Sequence, residues 1–459
     1  METRESAEAE AVGESYAASL RAPYRWRDWA APDGAKRKGL AAGRLGDFFG
    51  FVNGDLIPML KALAKDPNAT PRQKVIGESL AGLERTRVDT ERNFLDVLDR
   101  VDKLDIDGAD DQHMFVLSQV YEGLLLRMGE KGNDGGQFFT PREVIRAIVR
   151  VVHPQPGEAI YDPCCGTGGF LAEAMKHMRH GLGDTATPDI IERLKTRTFY
   201  GREKEDLVYP ILLANLVIHG IDRPHVWHGN TLTGLEVYGG LYEGAPDTFD
   251  VVLTNPPFGG KEGKEAQAQF AFKTRATQIL FLQHLIDRLK VGGRCGMVVD
   301  EGVLYRTKER AFVGTKRKLL DACDVTAIVS LPAGTFTNAG AGVKTNLLFF
   351  TKGKPTESIW YYDLSDIKVG KRTPLTLQHF DEFFRLLPEK ADSERSWTVP
   401  RRDIEAKNYD LKAVNPTQKR EIDIRMPSEI LAEIERLGQK ADETINQLKQ
   451  LIVEPLPRA

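Results

Sequence analysis

Asn255-Pro256-Pro257-Phe258 is the stretch of this chain best equipped for chemistry, and it follows the apolar run Phe249-Asp250-Val251-Val252-Leu253-Thr254. Such a run reads as a buried parallel strand. Two prolines cannot feed a sheet ladder, so the strand stops there. Asn255 is therefore predicted at the carboxyl end of a buried strand, where open α/β sheets place their ligands. Its side chain offers a carbonyl acceptor. A residue before proline is pushed out of the helical region, so the Asn255 and Pro256 carbonyls can turn the same way. Two convergent acceptors beside the ring of Phe258 suit a planar ring with an exocyclic amino group: both amine N–H bonds are accepted while Phe258 stacks. Read alone, these four residues are equally a loop that ends a strand.

A second motif shifts that balance. Ala159-Ile160-Tyr161 reads as a strand, and Asp162-Pro163-Cys164-Cys165-Gly166-Thr167-Gly168-Gly169-Phe170 as the Gly-rich turn into a helix. A phosphate-binding loop requires a terminal Gly-Lys-Ser/Thr, which is absent. A dinucleotide fingerprint wants a third glycine where Leu171 stands, and an acid about 20 residues on; the acid ending the second strand, Glu203, comes much later. S-adenosylmethionine fits better, because it carries no phosphate. Asp162 can help hold its ammonium, Gly166 and Gly168 let the backbone approach closely, Glu203 can accept both ribose hydroxyls, and Asn230 can reach the adenine edge. The Gly-rich turn, Glu203, Asn230 and Asn255 fall in order at successive strand ends.

The elements that position these residues follow from periodicity. From Gly157 strands alternate with helices: strands end at Tyr161 and Glu203, lie around Val226, run into Asn255, and recur at Cys295 to Val299, Val325 to Leu331 and Thr345 to Phe350. Helices are predicted over 206–219, 275–289 and 308–320. The fold class is α/β, a doubly wound and mostly parallel sheet. Upstream, residues 1–44 read as irregular and 45–130 as helical, with a helix capped by Asp110 or Asp111. A Gly-rich loop at 129–136 precedes Gln137-Phe138-Phe139-Thr140-Pro141-Arg142-Glu143, where Thr140 is the expected N-cap, Pro141 the first helical residue and Glu143 the closure of a capping box. Arg306, Lys308, Arg310, Lys316, Arg317 and Lys318 read as a solvated helix face rather than a phosphate track. At the end, Ile430, Ile434, Leu437, Ala441, Thr444, Leu448 and Leu451 form a heptad seam on a helix over 428–452. The domains are thus 1–130 helical, 131–400 catalytic and 401–459 a C-terminal helical partner-binding segment.

Composition adds limits. The 459 residues carry a formal charge of −3, so no global field draws the chain to nucleic acid. No apolar run approaches the ~20 residues of a membrane span. Cys164, Cys165, Cys295 and Cys323 lack zinc spacing, so no metal site is expected, and reduced thiols in the cytoplasm are.

Gln137-Phe138-Phe139-Thr140-Pro141, Asp162 to Phe170 and Asn255 to Phe258, in that order, resemble the amino-methylating DNA methyltransferases. They are most similar to the modification (M) subunit of type I restriction–modification systems. Leu117 to Glu122, Gly342 to Asn346 and Tyr409-Asp410-Leu411 resemble that family too, and the likeness spans roughly residues 90–420. It implies the class I S-adenosylmethionine-dependent fold, a seven-stranded sheet whose last strand is antiparallel, with an N-terminal helical domain and C-terminal helices that pack on a separate specificity (S) subunit. It implies that Phe138, Thr140 and Pro141 line the methionine end of S-adenosylmethionine, beside Asp162, Gly166, Thr167, Gly168, Glu203, Asn230 and Asn255. Asn230 stands where the family often has Asp. The family's opening helical stretch is not visible before residue 20, so the N-domain is short or its start truncated.

The implied reaction is methyl transfer to the N6 amine of a flipped adenine in double-stranded DNA, with Asn255, Pro256, Pro257 and Phe258 as the catalytic set. Adenine over cytosine rests on Asn and Phe in that motif. No sequence-reading module is evident, so target choice is expected from the S subunit, with a restriction (R) subunit as a further candidate partner. The alternatives are an amino-methyltransferase for protein glutamine or RNA, and a catalytically idle scaffold of the same fold. The recognised DNA sequence, the stoichiometry and a hemimethylated preference are not written in the chain.

Overall fold

A computed structural model describes residues 18–103, 140–234, 241–336, 344–370, 373–416 and 426–453. The helix expected after Asp111, the loop at 129–136 and Phe138 lie outside these residues. So do Leu117 to Glu122 and Gly342.

Among the described residues nine strands form one sheet: β1 Ile160–Asp162, β2 Phe199–Glu203, β3 His225–His228, β4 Phe249–Thr254, β5 Leu289–Asp300, β6 Cys323–Ser330, β7 Thr345–Lys352, β8 Ser358–Asp363 and β9 Ser396–Pro400. Their spatial order is β3-β2-β1-β4-β5-β7-β6-β8-β9. The β3-β2-β1-β4-β5 neighbours are parallel, and β7 runs antiparallel between β5 and β6. The first seven strands match the expected sheet. The extra pair, β8 parallel to β6 and β9 antiparallel to β8, extends its edge. β8 shows no alternation because Ile359, Trp360, Tyr361 and Tyr362 are all buried, and a strand covered on both faces has no polar side to show.

Each face of the sheet carries its own core. Helices Arg142–Val152, Gly169–Leu182 and Tyr209–Ile218 cover one face through Ile148, Leu171, Met175 and Leu212. Helices Thr277–Arg288 and Arg310–Ala322 cover the other through Ile279, Leu282, Phe312 and Leu319. The strand order reverses between β1 and β4, so the loops leaving their carboxyl ends diverge and open a crevice. Arg294 on β5 secures the helix that begins beside that crevice: Nε donates to the Val152 carbonyl (2.9 Å), while Nη1 and Nη2 hold both oxygens of Glu158 (2.9 and 2.7 Å). Such a fork-to-fork pair constrains geometry as well as charge.

Two expectations change. Residues before Arg44 are not all irregular. Short helices Trp26–Trp29 and Ala35–Ala41 pack onto a small core in which Trp29 meets Phe48 and Phe51 at 6.3 and 6.4 Å. Elements of that length are too short to show a period. Lys316 does not belong to a solvated face: it is fully buried, and Nζ donates to the Leu304 and Arg306 carbonyls at 2.7 and 2.9 Å. It satisfies carbonyls at the end of helix Glu301–Tyr305, and burial pulls its pKa down to about 8.

The chain divides into two compact units, Met1–Asn415 and Pro416–Ala459. The second contains helix Pro427–Val453, on which Ile434 and Leu437 are 59% and 51% exposed. All four cysteines are free thiols. Among the described residues no helix is long and apolar enough to cross a membrane.

Gly168 has φ +84°, and a Cβ there would sit 2.7 Å from Leu212 Cδ1 and 3.0 Å from Leu216 Cδ2. Gly168→Ala combines left-handed strain with overpacking, so a stability loss of about 2 kcal/mol is expected in urea titration. Wild-type stability in that variant would show that the helices yield freely here.

Candidate active site

The Gly-rich turn bends because Asp162, ending β1, organises it from below. Asp162 is fully buried. Its Oδ1 accepts from the Cys164 N–H (3.1 Å) and from Thr254 Oγ1 (2.8 Å), the last residue of neighbouring β4. Its Oδ2 is buried without a hydrogen-bond partner among the described residues. Glu203, ending β2, accepts from the Gly166 N–H through Oε2 (2.8 Å) and from the Glu205 N–H through Oε1 (2.9 Å). Two carboxylates in low dielectric disfavour their charged forms. Burial pushes Asp162 up to about 7, with the Thr254 and Cys164 hydrogen bonds opposing and Glu203 adding to the rise. Burial likewise pushes Glu203 up to about 7, against its backbone hydrogen bonds.

Between the turn and the β4 loop lies a cavity of about 290 Å³. Thr140, Gly166, Thr167, Glu203, Asn230 and Asn255 all line it, as does Pro257. The sequence therefore named residues from five separate places that one cavity unites. Asn230 spends its Oδ1 on the Leu232 N–H (2.9 Å), closing the turn after β3.

Other named residues stand differently. Asp162 lies beneath the cavity wall rather than in it. Gly168 faces Leu212 and Leu216, so its small size serves helix packing. Pro141, not Thr140, is the N-cap of helix Arg142–Val152, and no side chain caps it. Glu143 pairs with Arg146 (3.0 Å) instead of closing a box. The Thr140 hydroxyl is used elsewhere: it accepts from Asn255 Nδ2 at 3.0 Å. That bond orients the Asn255 amide, whose Oδ1 is buried and without a hydrogen-bond partner among the described residues. The Pro256 carbonyl accepts from Gln278 Nε2 at 3.1 Å. Phe258 meets the buried Phe336 edge to face, with ring centroids 5.3 Å apart.

Thr254, Gln278 and Phe336 were not foreseen. Thr254 sits one residue before the motif, where alternation marked only an apolar strand. Gln278 lies in the first turn of a predicted helix, and nothing in its spacing distinguishes it from a surface amide.

The comparisons decide which chemistry this geometry belongs to. A family model described as N-6 DNA Methylase matches residues 112–424. The chain belongs to the N-6 DNA methylase family. The methylase is 33% identical over 443 residues to the type I restriction enzyme EcoEI methylase subunit of Escherichia coli, covering 94% of this chain and 86% of that one. It matches a solved modification subunit of a putative type I restriction enzyme from Vibrio vulnificus YJ016 with TM-score 0.77 and 31% identity, over 91% of this chain and 88% of that one. A chain from a structural study of complex assembly and conformational transition of the type I R-M system matches with TM-score 0.70 and 35% identity, over 98% and 90%. The fold is that of the class I S-adenosylmethionine-dependent methyltransferases. The enzyme is an adenine-specific DNA methyltransferase of the type I modification kind.

The two raised carboxyls give the methylase a pH signature. Their folded-state pKa values exceed the ordinary carboxylate value, so the folded chain binds more protons than the unfolded one between about 4 and 7. Their contribution is fully present below that window and is lost as pH rises to about 7. Urea midpoints of the ligand-free protein should fall across this window, and Glu203→Gln should flatten the decline. A midpoint that rises from pH 5 to 7 in the wild type, but not in Glu203→Gln, would contradict the assignment.

Proposed function

We propose that this methylase transfers a methyl group from S-adenosylmethionine to the N6 amine of an adenine swung out of double-stranded DNA, as the modification subunit of a type I complex. The single observation that carries the acceptor role is the Oδ1 of Asn255, directly after β4, which is buried and has no hydrogen-bond partner among the described residues. A buried acceptor left open in a native fold calls for a ligand donor.

The cavity suits the cofactor. Two buried carboxyls near neutrality match a ligand with an ammonium and ribose hydroxyls, and no lysine in the Gly-rich turn waits for a phosphate. Bound S-adenosylmethionine supplies a methyl group already activated by its sulfonium. On this reading Glu203 accepts the ribose hydroxyls, Asp162 holds the turn and favours a cation above it, and Asn230 shapes the adenine end. Thr140 borders the methionine end. Asn255 Oδ1 and the Pro256 carbonyl accept the two amine N–H groups and draw the nitrogen lone pair out of conjugation, a use of fixed dipoles where positive charge develops. Phe258, braced by Phe336, stacks on the base. A base inside a duplex cannot reach such a site, so flipping follows.

On this reading 131–400 is the catalytic domain and 401–459 binds a partner, an S subunit; the exposed Ile434 and Leu437 on helix Pro427–Val453 support the role of the last part of that segment. The free thiols fit a reducing cytoplasm.

Asn255→Ala should lower transfer at least about 100-fold while S-adenosylmethionine still binds with near-normal affinity. The assay uses the chain co-purified with its S subunit, tritiated cofactor and DNA free of N6-methyladenine, with nucleoside digestion to identify the product. Loss of cofactor binding together with transfer would mean that Asn255 holds the cofactor rather than the amine. Deleting the residues after Met426 should weaken co-purification of the S subunit and spare cofactor binding; unchanged assembly would place the docking surface elsewhere.

A further inference from the structure

Strand β4 stops before β5 does, and a side chain fills the gap. The last rung between them pairs Thr254 with Met297. Beyond it, Pro256 and Pro257 have no N–H to donate, while β5 continues to Asp300. The Pro256 carbonyl and the Asp300 N–H would both lack backbone partners on this side, since β7 holds the other edge of β5. Gln278 supplies both halves of a rung. Its Nε2 donates to the Pro256 carbonyl at 3.1 Å, and its Oε1 accepts from the Asp300 N–H at 2.9 Å. It is 3% exposed. Because each end of the amide has its proper partner, a flip would set donor against donor and acceptor against acceptor.

We propose that Gln278 is a positioning residue for methyl transfer: it holds the Pro256 carbonyl so that the second lone pair of that oxygen faces the incoming amine. The inference rests on the acceptor role given above to Asn255 and Pro256. A carbonyl oxygen accepts twice, so the bond from Gln278 fixes its direction and leaves one site open. The arrangement parallels the other acceptor. Thr140 fixes the Asn255 amide from one side of the loop, and Gln278 fixes Pro256 from the helix on the other side. Two acceptors must converge on one nitrogen, and a loop of two prolines cannot orient them through its own N–H groups.

A purely structural rung would also satisfy buried groups, so the test must separate the two roles. Gln278→Leu and Gln278→Glu are purified with the S subunit and assayed with tritiated S-adenosylmethionine on DNA free of N6-methyladenine. Gln278→Leu is expected to lower kcat about 10- to 100-fold, with cofactor Kd and the KM for DNA unchanged. Gln278→Glu is nearly isosteric and carries the sharper readout. Ionised, it still accepts from Asp300 but cannot donate to Pro256; protonated, it does both. Its kcat relative to wild type should therefore rise as pH falls from about 8.5 to about 6, a burial-raised carboxyl titrating in that range. A pH-independent ratio in a folded, cofactor-binding Gln278→Glu overturns the proposal, as does a Gln278→Leu with wild-type kcat. If Gln278→Leu does not fold, Gln278→Glu alone decides. A wild-type complex that methylates no adenine removes the underlying reading and this inference with it, and the wild-type control identifies that case.

Discussion

The hydrogen bond from Asn255 to Thr140 joins positions 115 residues apart, and the acceptor end of the site depends on it. An asparagine amide can point either its oxygen or its nitrogen at a ligand, and only an external partner decides. Thr140 takes the nitrogen, so the oxygen is left facing a potential donor. The bond needs both segments in place. Thr140 is held by the helix that starts at Arg142, whose far end is locked by Arg294 of β5. Asn255 is held by β4, clamped between β1 and β5. Sheet topology, a helix terminus and one ion pair thus converge on the orientation of a single amide. The hydroxyl that fixes it would have capped the helix, and Pro141, with no side-chain donor or acceptor, serves as N-cap in its place.

The cofactor end works on a different principle, stored electrostatic cost. Asp162 and Glu203 end neighbouring strands, and each is lifted by burial towards neutrality. Among the described residues neither is paired with a basic side chain, which would have lowered its pKa and occupied it. Hydroxyl and backbone donors hold them instead: Thr254, Cys164, Gly166 and Glu205. A cationic ligand offsets the cost of ionising them, so the same burial that weakens the empty fold above neutral pH favours binding there. Thr254 couples the two ends, since its hydroxyl serves Asp162 while its successor in the chain is Asn255.

Much of this was legible in sequence, for identifiable reasons. Three of the parallel strands, β1, β2 and β4, were marked because each ends in or runs directly into a residue unlike a core residue: Asp162, Glu203 and Asn255. Polar groups at strand ends stand out against that background. β8 did not, because buried aliphatic and aromatic residues fill both its faces, and β9 did not, because it is a five-residue edge strand ending in proline. The N-terminal short helices were invisible because four and seven residues complete too few turns to show a period. Lys316 was misread because a lysine in a basic run looks solvated, and only the fold reveals two carbonyls above it. Gln278 is a harder case. Its role arises from a rung missing between two strands, a relation between three segments that no local pattern encodes.

Among the described residues the side chains that hydrogen-bond the acceptor pair are neutral, and that bears on how the proton leaves. Asn255 and Pro256 are held by a hydroxyl and an amide. Glu262 borders the same cavity, but its Oε1 accepts from Thr277 at 2.9 Å. His284 hydrogen-bonds Tyr161, and burial lowers its pKa to about 3, too weak a base to serve. On the proposed reading no base is required before transfer. An exocyclic amine whose lone pair is delocalised has little basicity, and two carbonyl acceptors favour the pyramidal nitrogen that attacks. Once methylated, that nitrogen bears positive charge and becomes acidic enough to release its proton to water. Fixed dipoles suit this sequence better than a carboxylate in contact, because they stabilise the charge as it forms without holding the proton afterwards.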